Sequence, residues 1–140
     1  SYIYGFESDF EYQVSELINI FGSVSITRGQ NLSEKTPLAY MPPDKFLFST
    51  EINLDPISYS LILKRVLEQN RLSQFETSTD GYFITSLNAT YHINSFNFLH
   101  KLIFQAENIF NQEYYNHLSR IKSIMPEKGR SLSVQYRLLF

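Results

Sequence analysis

Three carboxylates, Glu7, Asp9 and Glu11, recur at every second position near the start of the chain. If that stretch is extended, all three project from one side. Such a cluster could bind a metal ion or share acid–base work. The same spacing describes a polar wall whose carboxylates pair with Lys or Arg of adjoining strands, and that is the expectation here. The histidines are His92, His100 and His117, and there is no cysteine. Without Cys there is no disulfide framework, thiolate zinc site or cysteine nucleophile. The chain has no Gly-rich phosphate cradle, no G-x-S-x-G elbow and no H-E-x-x-H pair. Ser, His and Asp occurring in one composition do not make a triad. The expectation is no enzyme, no cofactor and no metal site.

Charge narrows the field further. Lys and Arg total 12 against 14 Asp and Glu, a net charge of −2. Nucleic-acid binders carry a basic excess, so no nucleic-acid partner is expected. A chain of 140 residues suits one domain. Its longest apolar runs, such as Leu61-Ile62-Leu63, fall far short of the roughly 18 residues a membrane helix needs. Membrane strands escape that test, because their apolar residues come at alternate positions. The chain starts at Ser1 in an already patterned segment, without the basic and apolar regions of a signal peptide. Either such a segment was removed or the chain is cut from something longer.

The elements that must position these residues follow a period of two. In the first segment Tyr2, Tyr4, Phe6, Phe10, Tyr12 and Val14 share one parity, with Gly5, Glu7, Asp9, Glu11 and Gln13 on the other. A helix would scatter those acids among the rings, so the segment is a strand. Six further runs repeat the pattern: Ile20–Val24–Ile26, Phe46–Phe48–Ile52–Leu54, Ile57–Tyr59–Leu61–Leu63–Leu67, Phe83–Leu87–Ala89–Tyr91–Ile93, Phe98–Leu102–Phe104–Ala106 and Leu132–Val134–Tyr136–Leu138–Phe140. Seven strands of roughly ten residues are the length a tilted membrane strand requires. Connections alternate between short (15–19, 55–56, 94–97) and long (29–44, 69–80, 108–129). Outer-membrane barrels segregate their turns and loops in this way.

Alternation fits two architectures. In a soluble sheet the apolar face is the core; in a membrane barrel it meets lipid and the polar face lines a wet lumen. The aromatics favour the second. If the C-terminus lies on the short-turn side, Tyr12, Tyr59, Tyr91, Phe98 and Phe140 fall near that end of the sheet at apolar parity, as an interfacial girdle requires. The runner-up remains a soluble all-β ligand- or partner-binding domain. An odd, open set of seven strands would leave edges unpaired in lipid, so a membrane sheet of this kind must belong to a larger barrel.

The C-terminal third carries a family resemblance. Glu107-Asn108-Ile109-Phe110, the tract Tyr114-Tyr115-Asn116-His117-Leu118-Ser119-Arg120, and Pro126-Glu127-Lys128-Gly129-Arg130 before a strand ending at Phe140 resemble the end of a TonB-dependent outer-membrane receptor. Gly5-Phe6-Glu7, Thr27-Arg28-Gly29, Met41-Pro42-Pro43, Phe75-Glu76-Thr77 and Asp80-Gly81-Tyr82 resemble upstream pieces in the same order. The resemblance implies an all-β, antiparallel up-and-down transmembrane barrel segment. Residues 1–140 would be the last part of a barrel of about 22 strands, without the plug domain and TonB box. It also implies import of a scarce nutrient, a ferric siderophore, haem, cobalamin or metal ion, across the Gram-negative outer membrane. The implied partners are outer-membrane lipid and lipopolysaccharide, the barrel-assembly machinery, and TonB through the plug region.

Tyr136, Leu138 and Phe140 resemble the terminal signal read by that assembly machinery. Ligand selectivity would reside in the long loops, with Tyr40, Arg71, Tyr115, His117 and Arg120 as candidate contacts. The three histidines are expected on the lumen face, the lipid face and in the last loop, too far apart to share a metal. His117 reads better as a solvated loop histidine. Arg65 is a cation at apolar parity near the long-loop end, where its stem can snorkel toward lipid phosphate.

Overall fold

The computed structural model describes residues 1–95 and 98–140. Its strands are β1 (Tyr2–Gln13), β2 (Ile18–Asn31), β3 (Thr36–Pro37), β4 (Lys45–Leu54), β5 (Ile57–Val66), β6 (Tyr82–Ser95), β7 (Phe98–Glu107) and β8 (Ser131–Leu139). All belong to one antiparallel sheet in the order β1-β2-β4-β5-β6-β7-β8, with the short β3 paired to β2 alone. This is the all-β, up-and-down arrangement expected from the alternation, and seven of the strands are those runs. Of the expected turn at 94–97, Phe96 and Asn97 lie outside the described residues.

Two differences lie at the start of the first long loop. β2 runs to Asn31, several residues past the expected end, and the loop folds back as β3, where Gln30 and Asn31 face Pro37 and Thr36. No apolar alternation marks these residues. The pairing is carried by the backbone, together with Leu38 N–H donating to Gly29 O over 3.0 Å.

Cross-strand register makes each parity a continuous surface, because directly opposite residues point the same way. On one face Phe6 meets Ile26, Val24 meets Phe46, Leu61 meets Leu87, and Phe104 lies between Ala89 and Val134. On the other, Asn19, Glu51, Ser60, Asn88, Gln105 and Ser133 form one unbroken polar row. Among the described residues nothing covers the apolar face: Phe10, Leu87 and Phe104 are 56%, 45% and 45% exposed.

The small buried core lies on the opposite side. Val66, Tyr82 and Ile84 belong to the face of Lys64 and are packed against Tyr114. The Tyr82 and Tyr114 rings have centroids 4.4 Å apart. Burial therefore follows the cover provided by a loop, while the broad apolar face is left bare.

Candidate functional site: the loop cluster

The long connections gather at one end of the sheet as loop A (38–44), loop B (67–81) and loop C (108–130). Each is anchored locally. Loop A is held by Asp44, whose carboxylate forms a bidentate ion pair with Arg28 and whose carbonyl accepts from Leu67 N–H. Loop B closes through a bridge between Gln69 and Thr79, and Gln69 Nε2 donates to Met41 O of loop A over 2.8 Å. At its exit Gly81 crosses the chain so closely that a Cβ there would lie 2.9 Å from both Glu68 N and Val66 O.

Loop C departs from β7 through Asn108, which adopts φ 49° and is 3% exposed. Its side-chain amide is used at both ends: Nδ2 donates to Gln112 O (2.8 Å) and Oδ1 accepts from Gln112 N–H (2.9 Å). Asn tolerates this left-handed geometry better than most residues, and its short amide satisfies the turn internally. Asn111 repeats the device at φ 53°, its Oδ1 accepting from Arg130 N–H where the loop returns.

Glu76 joins the three loops. Its Oε2 accepts from Ser73 N–H (3.1 Å) within loop B. Its Oε1 accepts from Tyr40 N–H of loop A and from His117 Nε2 of loop C, both over 3.0 Å. The other ring nitrogen, His117 Nδ1, lies 2.9 Å from Thr79 Oγ1 and 3.2 Å from Lys122 Nζ. Lys122 also donates to Thr77 O over 2.7 Å. Desolvation pushes the Glu76 carboxyl up, but the Ser73 and Tyr40 N–H groups and His117 outweigh it and hold the group below its ordinary value. For His117, burial lowers the pKa most; the hydrogen bond to Glu76 opposes it and Lys122 adds to the lowering, so the net shift is downward.

Beside this junction is an open cavity of about 550 Å³ whose wall includes Tyr40, Phe75, Glu76, His117, Arg120 and Lys122. Phe75 sits at φ 67° and is 97% exposed, an apolar ring presented to the outside. Of the five expected contacts, Tyr40, His117 and Arg120 come together here. Arg71 and Tyr115 stand elsewhere, the Tyr115 hydroxyl donating to Glu113 over 2.9 Å. His117 is not the solvated histidine expected: it is 2% exposed, because loops B and C close over it. Phe75, Glu76 and Lys122 were not anticipated as a group. Ser73 and Glu76 stand at the S-x-x-E spacing of a reciprocal turn, which is a usable signal for Glu76.

The remaining candidates are dispersed. Glu7, Asp9 and Glu11 lie opposite Ser25, Ser23 and Phe21, not the Lys or Arg expected, and Ser25 Oγ donates to Glu7 over 3.1 Å. Their other flank is the free edge of β1. His92 faces Lys101 on the polar side, and His100 Nδ1 lies 2.6 Å from the Tyr136 hydroxyl on the apolar side. Arg65 is exposed on the apolar face between Phe46 and Phe83. Arg28 shares that parity and is neutralised by Asp44. Tyr136 and Leu138 are exposed on edge strand β8, with Phe140 just beyond it.

No family model matches the sequence. Among solved structures the chain is similar to one described as copper transporter OprC, with a TM-score of 0.89 over 96% of this chain at 22% identity. The match spans 23% of that protein's length. The likeness is therefore one of fold, between this antiparallel β-sheet and part of a transporter chain.

Proposed function

We propose that this chain is a stretch of wall and outer loops, at the C-terminal end of the barrel, from a TonB-dependent receptor of the Gram-negative outer membrane. In this reading the protein is an importer of a scarce nutrient and not an enzyme. One observation carries it: the apolar face is continuous across seven strands and uncovered, while the buried residues lie on the opposite face under a loop. Monomeric soluble proteins rarely leave so broad an apolar surface in water, whereas a barrel wall presents it to lipid. The fold likeness to a transporter agrees with this reading.

The cavity supports an anionic chelate as the nutrient, in the ferric siderophore class, over a bare cation. Arg120 and Lys122 stand at its wall with Tyr40 and Phe75, a combination of cation and aromatic surface suited to an anionic, ring-bearing ligand. The similar solved protein is described as a copper transporter, which makes a metal ion the second reading. Lipid and lipopolysaccharide would contact the apolar face. The barrel-assembly machinery would read Tyr136, Leu138 and Phe140, and TonB would act through a plug region.

Spin labels on the full-length protein in lipid test the membrane reading. A label at Phe104 should be relaxed by oxygen and not by a water-soluble nickel chelate, and one at Gln105 the reverse. A Phe104 label shielded from both reagents would mean a packed soluble core. Titration with a ferric tris-catecholate and with Cu(II) separates the two nutrients, and Arg120→Ala should weaken only the first.

A further inference from the structure

We propose that Glu76, His117 and Lys122 form a proton-operated latch that holds the outer loops together beside the cavity, and that protonation of His117 opens it. This deepens the reading above by assigning a regulation to the same cavity, and it rests on that cavity facing the ligand.

The donor and acceptor roles follow from Lys122. Its ammonium has only donors, so His117 Nδ1 at 3.2 Å must accept. The single ring proton is then on Nε2, where it donates to Glu76. Thr79 Oγ1 completes the arrangement by donating to Nδ1. A second proton on Nδ1 would take the lone pair that Lys122 uses: Thr79 Oγ1 could turn to accept the new N–H, but the imidazolium would lie against the ammonium 3.2 Å away. His117 is 2% exposed, held between loops B and C at the wall of the cavity.

The charged and titratable groups around the cavity are Glu76 from loop B, Lys122 and Arg120 from loop C, and the Tyr40 phenol from loop A. Glu76 favours the imidazolium, but its carboxylate is already engaged by the Tyr40 and Ser73 N–H groups. Burial and Lys122 act the other way, consistent with the lowered pKa of His117. The closed form therefore binds fewer protons than the open form. It is fully favoured above the ordinary histidine value of 6.5 and is lost as pH falls through the lower value of the closed state. On opening, Tyr40 and Thr77 lose their partners in Glu76 and Lys122, so all three loops are released together.

The test uses the full-length protein in outer-membrane vesicles without ligand. Nitroxides at Gln74→Cys and Ser123→Cys, on opposite loops of the cavity, report loop separation by electron–electron double resonance between about pH 8 and about pH 4.5. The wild type should show one short distance at high pH and a growing longer population at low pH. His117→Gln should keep one distance throughout. Lys122→Met should protonate at higher pH yet stay closed, because the imidazolium then meets Glu76 without an opposing ammonium. A pH-independent wild type, or opening that persists in Lys122→Met, overturns the latch. Since no ligand is added, either result leaves the binding reading to its own titration.

Discussion

Phe10 on β1 stands directly opposite Gly22 on β2, and its ring fills the space a side chain at Gly22 would need. A Cβ at Gly22 would come within 2.0 Å of Phe10 Cε1. Glycine in a strand normally weakens it; here a neighbouring aromatic covers the bare backbone. Gly22→Val should therefore displace the Phe10 ring and destabilise the protein by about 1–3 kcal/mol. Urea unfolding of the protein measures this. Combining Gly22→Val with Phe10→Ala should restore part of the loss, and strict additivity would show that the two residues do not share this space.

Asn108 gives a second prediction. Asn108→Ala removes two buried hydrogen bonds and leaves a β-carbon at positive φ, at a cost of about 2–4 kcal/mol. Asn108→Gly relieves the backbone and loses only the hydrogen bonds, so it should be the milder change. Thermal unfolding of both variants should rank them in that order; equal midpoints would mean that the backbone conformation contributes nothing.

Glu76→Gln keeps the shape of the junction and removes its charge. The single amide oxygen cannot accept from Ser73, Tyr40 and His117 as two carboxylate oxygens do. Faster amide exchange is expected at Ser73 and Tyr40 together, with a local loss of about 1–3 kcal/mol. Exchange that rises at only one of the two amides would separate loop A from loop B.

Arg65 is an exposed cation on the apolar face, flanked by Phe46 and Phe83. In the membrane reading its stem lies along lipid and its guanidinium reaches phosphate. Arg65→Ala should lower the thermal midpoint in bilayers containing lipopolysaccharide and leave it unchanged in zwitterionic phospholipid. Equal behaviour in both would remove this contact.

The strands were legible because a period of two is a local property: Phe46 and Phe48 mark their face without any knowledge of β2 or β5. The parity of Arg28 was legible too, as the next even position after Val24 and Ile26. β3 carried no such mark, since Gln30, Asn31, Thr36 and Pro37 pair through backbone alone. The junction was the hardest part to read. Glu76 and His117 are 41 positions apart and belong to different loops, so their contact depends on where β5, β6 and β7 deliver the chain. Tyr40 and Arg120 were identifiable as exposed loop chemistry, but not as neighbours.

The three-loop junction also divides the residues into two classes with different freedom to vary. Glu76, His117 and Thr79 face one another and are committed to holding the loops. Phe75, Arg120 and Ser123 line the same cavity without taking part in that hydrogen-bonded set. Substitutions in the second class can change the chemistry of the cavity while its frame persists. A loop cluster built this way can acquire a new specificity by single steps, each leaving a folded protein.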